Sequence, residues 1–183
     1  MSHILLQDPM FFQLLLLIDI DLAAQTRAGK CPCGGTLHQA NYPRKPRGCP
    51  IEAREDYASR FSFCCSQCRK RTTAMSVRFL GRRVYLSLVV VLQSARRAGP
   101  TATAAARLCQ TLAVPARTLE RWRTWWAQCF PATPLWQGHG ARFMPPVATT
   151  ELPDSLITRF SGSAAESMTR LLAFLTPLTV RQG

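Results

Sequence analysis

Residues 61–73 read FSFCCSQCRKRTT, a stretch in which three cysteines are followed at once by three basic residues. In a cytosolic chain thiols stay reduced, so clustered cysteines indicate metal ligands before disulfides. The two-residue spacing of Cys65 and Cys68 lets both thiolates of a tight turn face one Zn²⁺ at about 2.3 Å. This half-site predicts a metal-stabilised fold and needs two further ligands.

The stretch CPCGG at residues 31–35 supplies them, since Cys31 and Cys33 form a second pair. Gly34 and Gly35 follow this pair and would let the backbone donate hydrogen bonds to the sulfurs. The pair is one residue shorter than the usual spacing, so His38 could substitute for a ligand, and Cys64 could replace Cys65. We expect a Zn²⁺ site made by Cys31, Cys33, Cys65 and Cys68, with Cys49 free and with Cys109 and Cys129 as small core residues.

The charge is strongly positive and unevenly placed. The 183 residues include 23 Lys and Arg against 10 Asp and Glu, a net charge of +13. Residues 27–83 carry 13 Lys and Arg against 3 Asp and Glu, whereas residues 1–26 carry 3 Asp and neither Lys nor Arg. A chain this basic favours nucleic acid first and an acidic membrane second, so the partner surface should lie within 27–130.

The expected fold class is mainly α with a small β zinc ribbon, in which the ribbon precedes a helix-turn-helix and C-terminal helices. Residues 29–76, rich in Gly, Pro and Cys, need a metal to fold. An apolar helix at 3–24 must be covered by the domain or by a second copy, and 77–98 favours another helix. The predicted units are an N-terminal helix (1–28), the ribbon (29–76), a helical domain (77–130), and a linker with two short helices (131–183), at 153–161 and 163–175.

No convincing secretory signal is present. The apolar run at 10–18 is too short to span a bilayer, and acidic residues flank it. We expect a cytoplasmic, nucleoid-associated protein without a membrane partner.

Between the two cysteine pairs lies YPRKPRG, residues 42–48, which its prolines hold extended. Such an arm can follow a phosphate backbone or enter a narrow minor groove; the alternative is a solvated loop. More basic residues follow the second pair. Phosphate contacts, which give affinity but little sequence choice, are expected from Arg44, Lys45, Arg47, Arg69, Lys70, Arg71, Arg78, Arg82 and Arg83.

Residues 104–126, AAARLCQTLAVPARTLERWRTWW, are typical of two helices joined by a turn. The second helix, from about 116 to 129, would present Arg117, Thr118, Glu120, Arg121 and Thr124 to a major groove. Arg117 and Arg121 suit guanine and Glu120 suits cytosine, whereas Thr118 is assigned either a cap or a phosphate contact. A generic helical hairpin is the alternative.

The string LAVPARTLERWRTWW resembles the helix-turn-helix of bacterial transposases and related regulators, with Ala113 in place of the usual Gly and Pro115 in place of the usual Ser. The block from CPCGG through RKPRG and FCCSQCRKRTT to SVRFLGRRVYL is similar to the zinc-ribbon front end of insertion-sequence and transposon-associated proteins. The resemblance covers roughly residues 29–130. It implies binding of element or target DNA by both modules.

A full transposase of that kind carries an Asp-Asp-Glu metal site on an RNase-H-like fold. After residue 130 this chain has only Glu151, Asp154 and Glu166, too few residues for such a sheet-borne site, so we expect no enzymatic activity. The expected partners are double-stranded DNA, transposition or recombination proteins, and a second copy of the chain. An autonomous transcriptional regulator and a zinc-ribbon RNA- or ribosome-binding protein are the alternatives, and a cysteine enzyme ranks last.

Overall fold

A computed structural model describes residues 4–46, 49–80, 86–95 and 115–180. The fold is mixed, mostly helical with a small antiparallel sheet, which confirms the coarse fold class. The helices are α1 (Pro9–Ala28), α2 (Ser87–Ala95), α3 (Ala116–Thr124), α4 (Pro134–His139), α5 (Asp154–Ile157) and α6 (Ala164–Phe174). The strands are β1 (Leu37–Gln39), β2 (Tyr42–Pro43), β3 (Ser59–Arg60), β4 (Ser62–Cys65) and β5 (Arg71–Thr73).

Helix α1 confirms the apolar helix expected near the N-terminus and extends it to Ala28. Asp8 caps it, because its carboxylate accepts from the backbone N–H groups of Met10 and Phe11, and Pro9 occupies the first turn. One face is buried, and its members are Phe11, Phe12, Leu15, Asp19 and Ala23. By length and composition alone α1 could cross a membrane, a test that core helices and N-terminal signal sequences pass as well.

The strands form two small antiparallel ladders. The three-stranded sheet has the order β1-β4-β5, and β2 pairs with β3 in a separate two-stranded ladder. In the first ladder Leu37 lies opposite Cys65 and His38 lies opposite Cys64. Because side chains directly across a ladder share a face, this register assigns each cysteine of β4 to one side of the sheet.

The helix predicted at 77–98 starts later than expected. Residues 77–80 are not helical: Val77 and Arg78 lie in a bend, Phe79 forms a bridge with Leu86, and α2 begins at Ser87. The run Val89–Val91 does lie in the helix and is buried, because tertiary packing outweighs the modest strand preference of valine.

The helix predicted at 116–129 is confirmed in position: α3 begins after Pro115 and continues as a π-helical turn, Trp125–Cys129. The preceding helix of the expected helix-turn-helix, with Cys109, lies outside the described residues. So do Arg47, Arg82 and Arg83.

Residues 131–150 form an irregular crossing that contains α4 and short 3-10 turns, and Leu135 and Trp136 are buried within it. The two helices expected after it are present as α5 and α6. Ser163 and Glu166 cap α6 reciprocally, each side chain bonding the other residue's backbone N–H.

Two hydrophobic clusters hold the described residues together. The large one joins apolar side chains of α1, α2, the π-helical turn, α4, α5 and α6, and includes Trp126 and Phe130. The small one lies under the three-stranded sheet and comprises Ala23, Cys31, Leu37, Phe63, Cys65 and Ala74. Because two of its six members are cysteines, this end of the protein has little apolar area of its own.

A buried ion pair links the two regions. Asp19 of α1 accepts from the Nε of Arg78 at 2.7 Å, from the Ser76 hydroxyl at 2.6 Å and from the backbone N–H of Val77 at 2.6 Å. Arg78 donates onward to the carbonyls of Asp56 and Ser59. The expectation that Arg78 contacts phosphate is therefore wrong: its side chain is fully buried, and its charge is balanced inside the protein.

Replacing Asp19 with Asn should destabilise the protein by about 3–5 kcal/mol, because Arg78 is left as a buried cation without its counter-charge. The measurement is the free energy of unfolding from urea titration of dilute protein. Asp21→Asn, two residues away on the exposed side of α1, is the matched control and should change stability by no more than about 0.5 kcal/mol. Equal losses from both variants would contradict the assigned role of the pair.

Candidate metal centre

Four cysteine sulfurs converge at one end of the three-stranded sheet. Cys31 and Cys33 lie on the turn before β1, Cys65 ends β4, and Cys68 lies in the turn between β4 and β5. All four Sγ atoms lie within 4.8 Å of one another, and two pairs, Cys31 with Cys68 and Cys33 with Cys65, are 3.5 Å apart. Tetrahedral bonds of about 2.3 Å require sulfurs roughly 3.8 Å apart, so the cluster could hold a metal ion and is compatible with zinc.

Local backbone geometry turns the first pair toward the centre. Lys30 and Gly34 have φ values of 55° and 85°, and the N–H of Gly34 donates to the carbonyl of Cys31 at 2.7 Å. The N–H of Cys31 donates to the carbonyl of Gly35 at 3.1 Å, which closes the turn. A left-handed φ suits glycine, which has no Cβ to clash. The C-x-C spacing is therefore accommodated by a tight loop.

The second pair sits on a comparable turn. The N–H of Cys65 donates to the carbonyl of Lys70 at 3.0 Å, and Arg69 takes a φ of 59°. The N–H of Gln67 points at the Sγ of Cys65 at 3.4 Å, and the N–H of Ser66 donates to the carbonyl of Thr36 on the facing turn. These bonds tie the two cysteine turns to each other.

Position 35 requires glycine because there is no room for a Cβ atom, and not because of its backbone dihedral angles. A Cβ at this position would lie 2.5 Å from the Sγ of Cys65, closer than real side chains approach. Gly34, by contrast, has nothing within 4 Å of the corresponding point. The absence of a side chain at Gly35, the second glycine of CPCGG, therefore leaves space for the Sγ of Cys65.

The sheet register resolves the competition among candidate ligands. Cys64 lies opposite His38 and Arg71, on the face turned away from the centre, whereas Cys65 shares the other face with Leu37. The Cys64 thiol instead approaches the carbonyl of Arg69 at 3.5 Å. Neither Cys64 nor His38 belongs to the four-sulfur cluster among the residues described.

Backbone donors favour the thiolate form of two of the sulfurs. The N–H of Gly35 lowers the pKa of the Cys33 thiol to about 6, and the N–H of Cys68 lowers the pKa of Cys65. At Cys31 the N–H of Cys33 acts in the same direction, but burial and the neighbouring thiols outweigh it and raise the pKa to about 12. Four thiols this close share protons, which a bound metal ion would displace.

Two of the remaining cysteines have separate environments. Cys49 is buried in the large core, and this burial raises the pKa of its thiol to about 11. Cys129 is exposed at the end of the π-helical turn, so its expected place in the core is wrong. The changed helical pitch of that turn rotates Cys129 outward while Trp126 and Phe130 are buried.

The described part of the basic arm, residues 42–46, is not helical, as its prolines predict: it begins with β2 and is held against the sheet. The N–H of Arg44 donates to the carbonyl of Ala58, and the guanidinium groups of Arg44 and Arg71 lie 5.4 and 4.2 Å from the ring centre of Tyr42. Arg71 also donates to the carbonyl of Ala40 at 2.6 Å. Tyr42 is a contact residue absent from the predicted set, and the signal for it in the sequence is an aromatic residue at the head of a basic arm.

The remaining candidate contacts divide by exposure. Lys45 is exposed on the basic arm, Arg69 and Lys70 are exposed on the second cysteine turn, and Arg117, Glu120, Arg121 and Thr124 are exposed on α3. Thr118 departs from the expectation: it is buried, its hydroxyl accepts from Arg121 at 3.2 Å, and it does not cap α3. A step of one residue turns about 100° around a helix, which carries Thr118 from the exposed side at Arg117 to the inner side.

Comparisons of the chain with protein-family models, with curated proteins and with solved structures find no match.

Changing one ligand cysteine, Cys65→Ser, should reduce bound zinc from about one ion per chain to well below that, because three thiolates no longer close a tetrahedral site. Elemental analysis of purified protein measures this. Cys64→Ser is a matched control one residue away and should retain the metal. Loss of zinc in the control alone, or full retention in Cys65→Ser, would overturn the ligand assignment.

The two adjacent glycines give a sharper test of geometry. Gly35→Ala should weaken zinc binding by roughly 10–100-fold, since its methyl group would occupy the space of a ligand sulfur. Gly34→Ala should keep the affinity but lose about 1 kcal/mol of stability from its left-handed backbone. Competition with a chromogenic chelator measures affinity, and urea unfolding of the zinc-loaded protein measures stability. Equal effects on affinity would contradict the placement of Gly35.

Proposed function

We propose that this chain is a non-catalytic DNA-binding protein associated with a mobile element, in which a zinc ribbon and a helix-turn-helix together contact duplex DNA. Zn²⁺ is the proposed cofactor, bound by Cys31, Cys33, Cys65 and Cys68. The cytoplasm and its nucleoid are the proposed location. The link to mobile elements rests on the motif resemblance within residues 29–130.

The observation that carries the proposal is the continuity of the second cysteine turn with a basic surface. Cys68, a member of the sulfur cluster, is followed directly by Arg69, Lys70 and Arg71, all exposed. A metal ion bound at the cluster would therefore fix the backbone from which these side chains project. Fixed cations lose less conformational freedom on meeting phosphates than cations on a flexible loop do.

The arm adds to the same surface. Arg71 and Arg44 both contact the ring of Tyr42, so β5 and the start of the arm are held side by side. Lys45 follows and is exposed. Cations that line up along an extended strand can follow a phosphate backbone, which contributes affinity without sequence choice.

Helix α3 is proposed as the recognition element. Arg117, Glu120, Arg121 and Thr124 are exposed, while Trp126, in the π-helical turn that continues α3, is completely buried. Arginine suits guanine and glutamate suits cytosine in a major groove. Thr118 is buried and is not among the proposed contacts.

The carboxylates after residue 130 do not favour a catalytic role. Of the three carboxylates after residue 130, Glu166 accepts from the backbone N–H of Ser163 and serves as a helix cap, an interaction that lowers its pKa. Two-metal phosphoryl transfer needs carboxylates that converge on one point, whereas the cluster of potential metal ligands found among the described residues consists of four cysteines and no carboxylate.

The test compares two sets of variants of the zinc-loaded chain. Lys45→Gln with Arg69→Gln and Lys70→Gln should weaken binding to all duplexes, and should flatten the dependence of log K on log salt by roughly 0.9 for each lost phosphate contact. Arg117→Ala with Arg121→Ala should instead reduce the preference for a selected site over random duplex, by about 1–3 kcal/mol for each lost guanine contact.

Fluorescence anisotropy with a site selected from random duplex DNA, at several salt concentrations, measures both effects. Arg142→Gln, an exposed arginine in the C-terminal part, is the charge control and should leave affinity and slope unchanged. If both sets of variants lose the same affinity for the selected site and for random duplex DNA, α3 is not the recognition helix. Tighter binding to a structured RNA pool than to duplex DNA would overturn the DNA proposal in favour of RNA.

A further inference from the structure

The exposed side of α1 is unusually apolar. Eight large hydrophobic residues are exposed among the described residues, and five of them, Ile4, Met10, Leu14, Leu17 and Ile20, lie at the N-terminus. Leu17 is 53% exposed and Met10 is 71% exposed. A helix that is apolar on all sides normally has both faces covered, and here the large core covers only one of them.

The exposed residues form a stripe with a regular spacing. Met10, Leu14, Leu17, Asp21 and Ala24 follow one another at intervals of four and three residues, all exposed. This is the spacing by which one helix packs lengthwise against another. The stripe therefore fits a helical partner, and its one charged member, Asp21, constrains which partner that is.

We propose that α1 pairs with α1 of a second copy of this chain in an antiparallel arrangement, with Leu17 near the two-fold axis. In this register Leu14 lies opposite Ile20 of the second copy, and Met10 lies opposite Ala24. Gln13 lies opposite Asp21, so the carboxylate in the stripe meets an amide that can donate to it. A parallel pairing would place the two Asp21 carboxylates together, which like-charge repulsion opposes.

The distribution of charge also favours a second copy of the chain as the partner of α1. Two molecules of net charge +13 repel, yet residues 1–26 contain three Asp and neither Lys nor Arg. The stripe is thus the part of the chain where a second copy approaches with least repulsion. Antiparallel pairing also brings Arg27 at the end of one helix toward Asp8 at the start of the other.

An anionic lipid surface fits the stripe less well. Its phosphates would meet the like-charged carboxylates of Asp21 and Asp8, and a spanning helix would instead place an Asp near the bilayer centre at a cost of roughly 2.5–3.5 kcal/mol. The proposed pairing buries on the order of 800 Å² in total for helices about 30 Å long, below the roughly 1,200 Å² of stable complexes. The dimer is therefore expected to be reversible and to depend on concentration.

Sedimentation equilibrium of the full, zinc-loaded chain without DNA tests the proposal independently of the proposed function. The chain should pass from monomer to dimer as its concentration rises, and Leu17→Glu should weaken this association at least tenfold. Ile51→Glu, at a residue that is 76% exposed outside α1, is the control and should dimerise like the unaltered chain. Circular dichroism establishes that each variant is folded.

A second substitution tests the direction of pairing. Gln13→Lys should strengthen an antiparallel dimer, because the introduced ammonium group of one copy would meet Asp21 of the other, and Gln13→Glu should weaken it. A parallel dimer would be weakened by Gln13→Lys, since the two introduced ammonium groups would meet.

A chain that stays monomeric at every concentration, or a dimer whose dissociation constant does not change with Leu17→Glu, would overturn the proposal. So would a monomer that binds phosphatidylserine vesicles through Leu17.

Discussion

The buried pair between Asp19 and Arg78 is the interaction on which the arrangement of this protein depends. It connects α1, the segment after β5 that contains Arg78, and, through the carbonyls of Asp56 and Ser59, the loop that enters β3. Arg78 also lies against the rings of Tyr57, Phe61 and Phe79 at 4.9–5.2 Å. Moving either partner away would leave a buried charge without its counter-charge, which is strongly destabilising. The pair therefore holds the cysteine-bearing sheet in one position relative to the helices.

The sheet itself has little else to stabilise it. Its hydrophobic cluster contains six buried residues, of which Cys31 and Cys65 are two. A second buried arginine contributes: Arg60 of β3 donates to the carbonyls of Ala74 and Thr179, so the C-terminal turn is bound to the base of the sheet. Burial lowers the pKa of Arg60 to about 10. Metal binding at the cysteines would then stabilise the end of the sheet that these contacts do not reach.

Several features were predictable because their causes are local. Proline keeps the arm at Tyr42–Pro46 from forming a helix, the Ser163 and Glu166 pair fixes the start of α6, and Phe130-Pro131 follows the end of the helix begun at Ala116.

The exposure of individual side chains is harder to predict from the sequence. Thr118 and Arg78 are expected at a DNA surface, yet both are buried, because residue type alone does not say whether a distant element covers a side chain. Arg78 is neutralised by a carboxylate 59 positions away.

The sequence by itself located the candidate metal site at two cysteine-bearing turns, since the spacing of the cysteines and the glycines after the first pair are local properties of those turns. It left Cys64, Cys65 and His38 in competition. Only the tertiary structure decided among them, through the pairing of β1 with β4, because a shift of one residue in a strand register moves every side chain to the opposite face. In FSFCCSQCRKRTT, the second of two adjacent cysteines faces its partners for that reason.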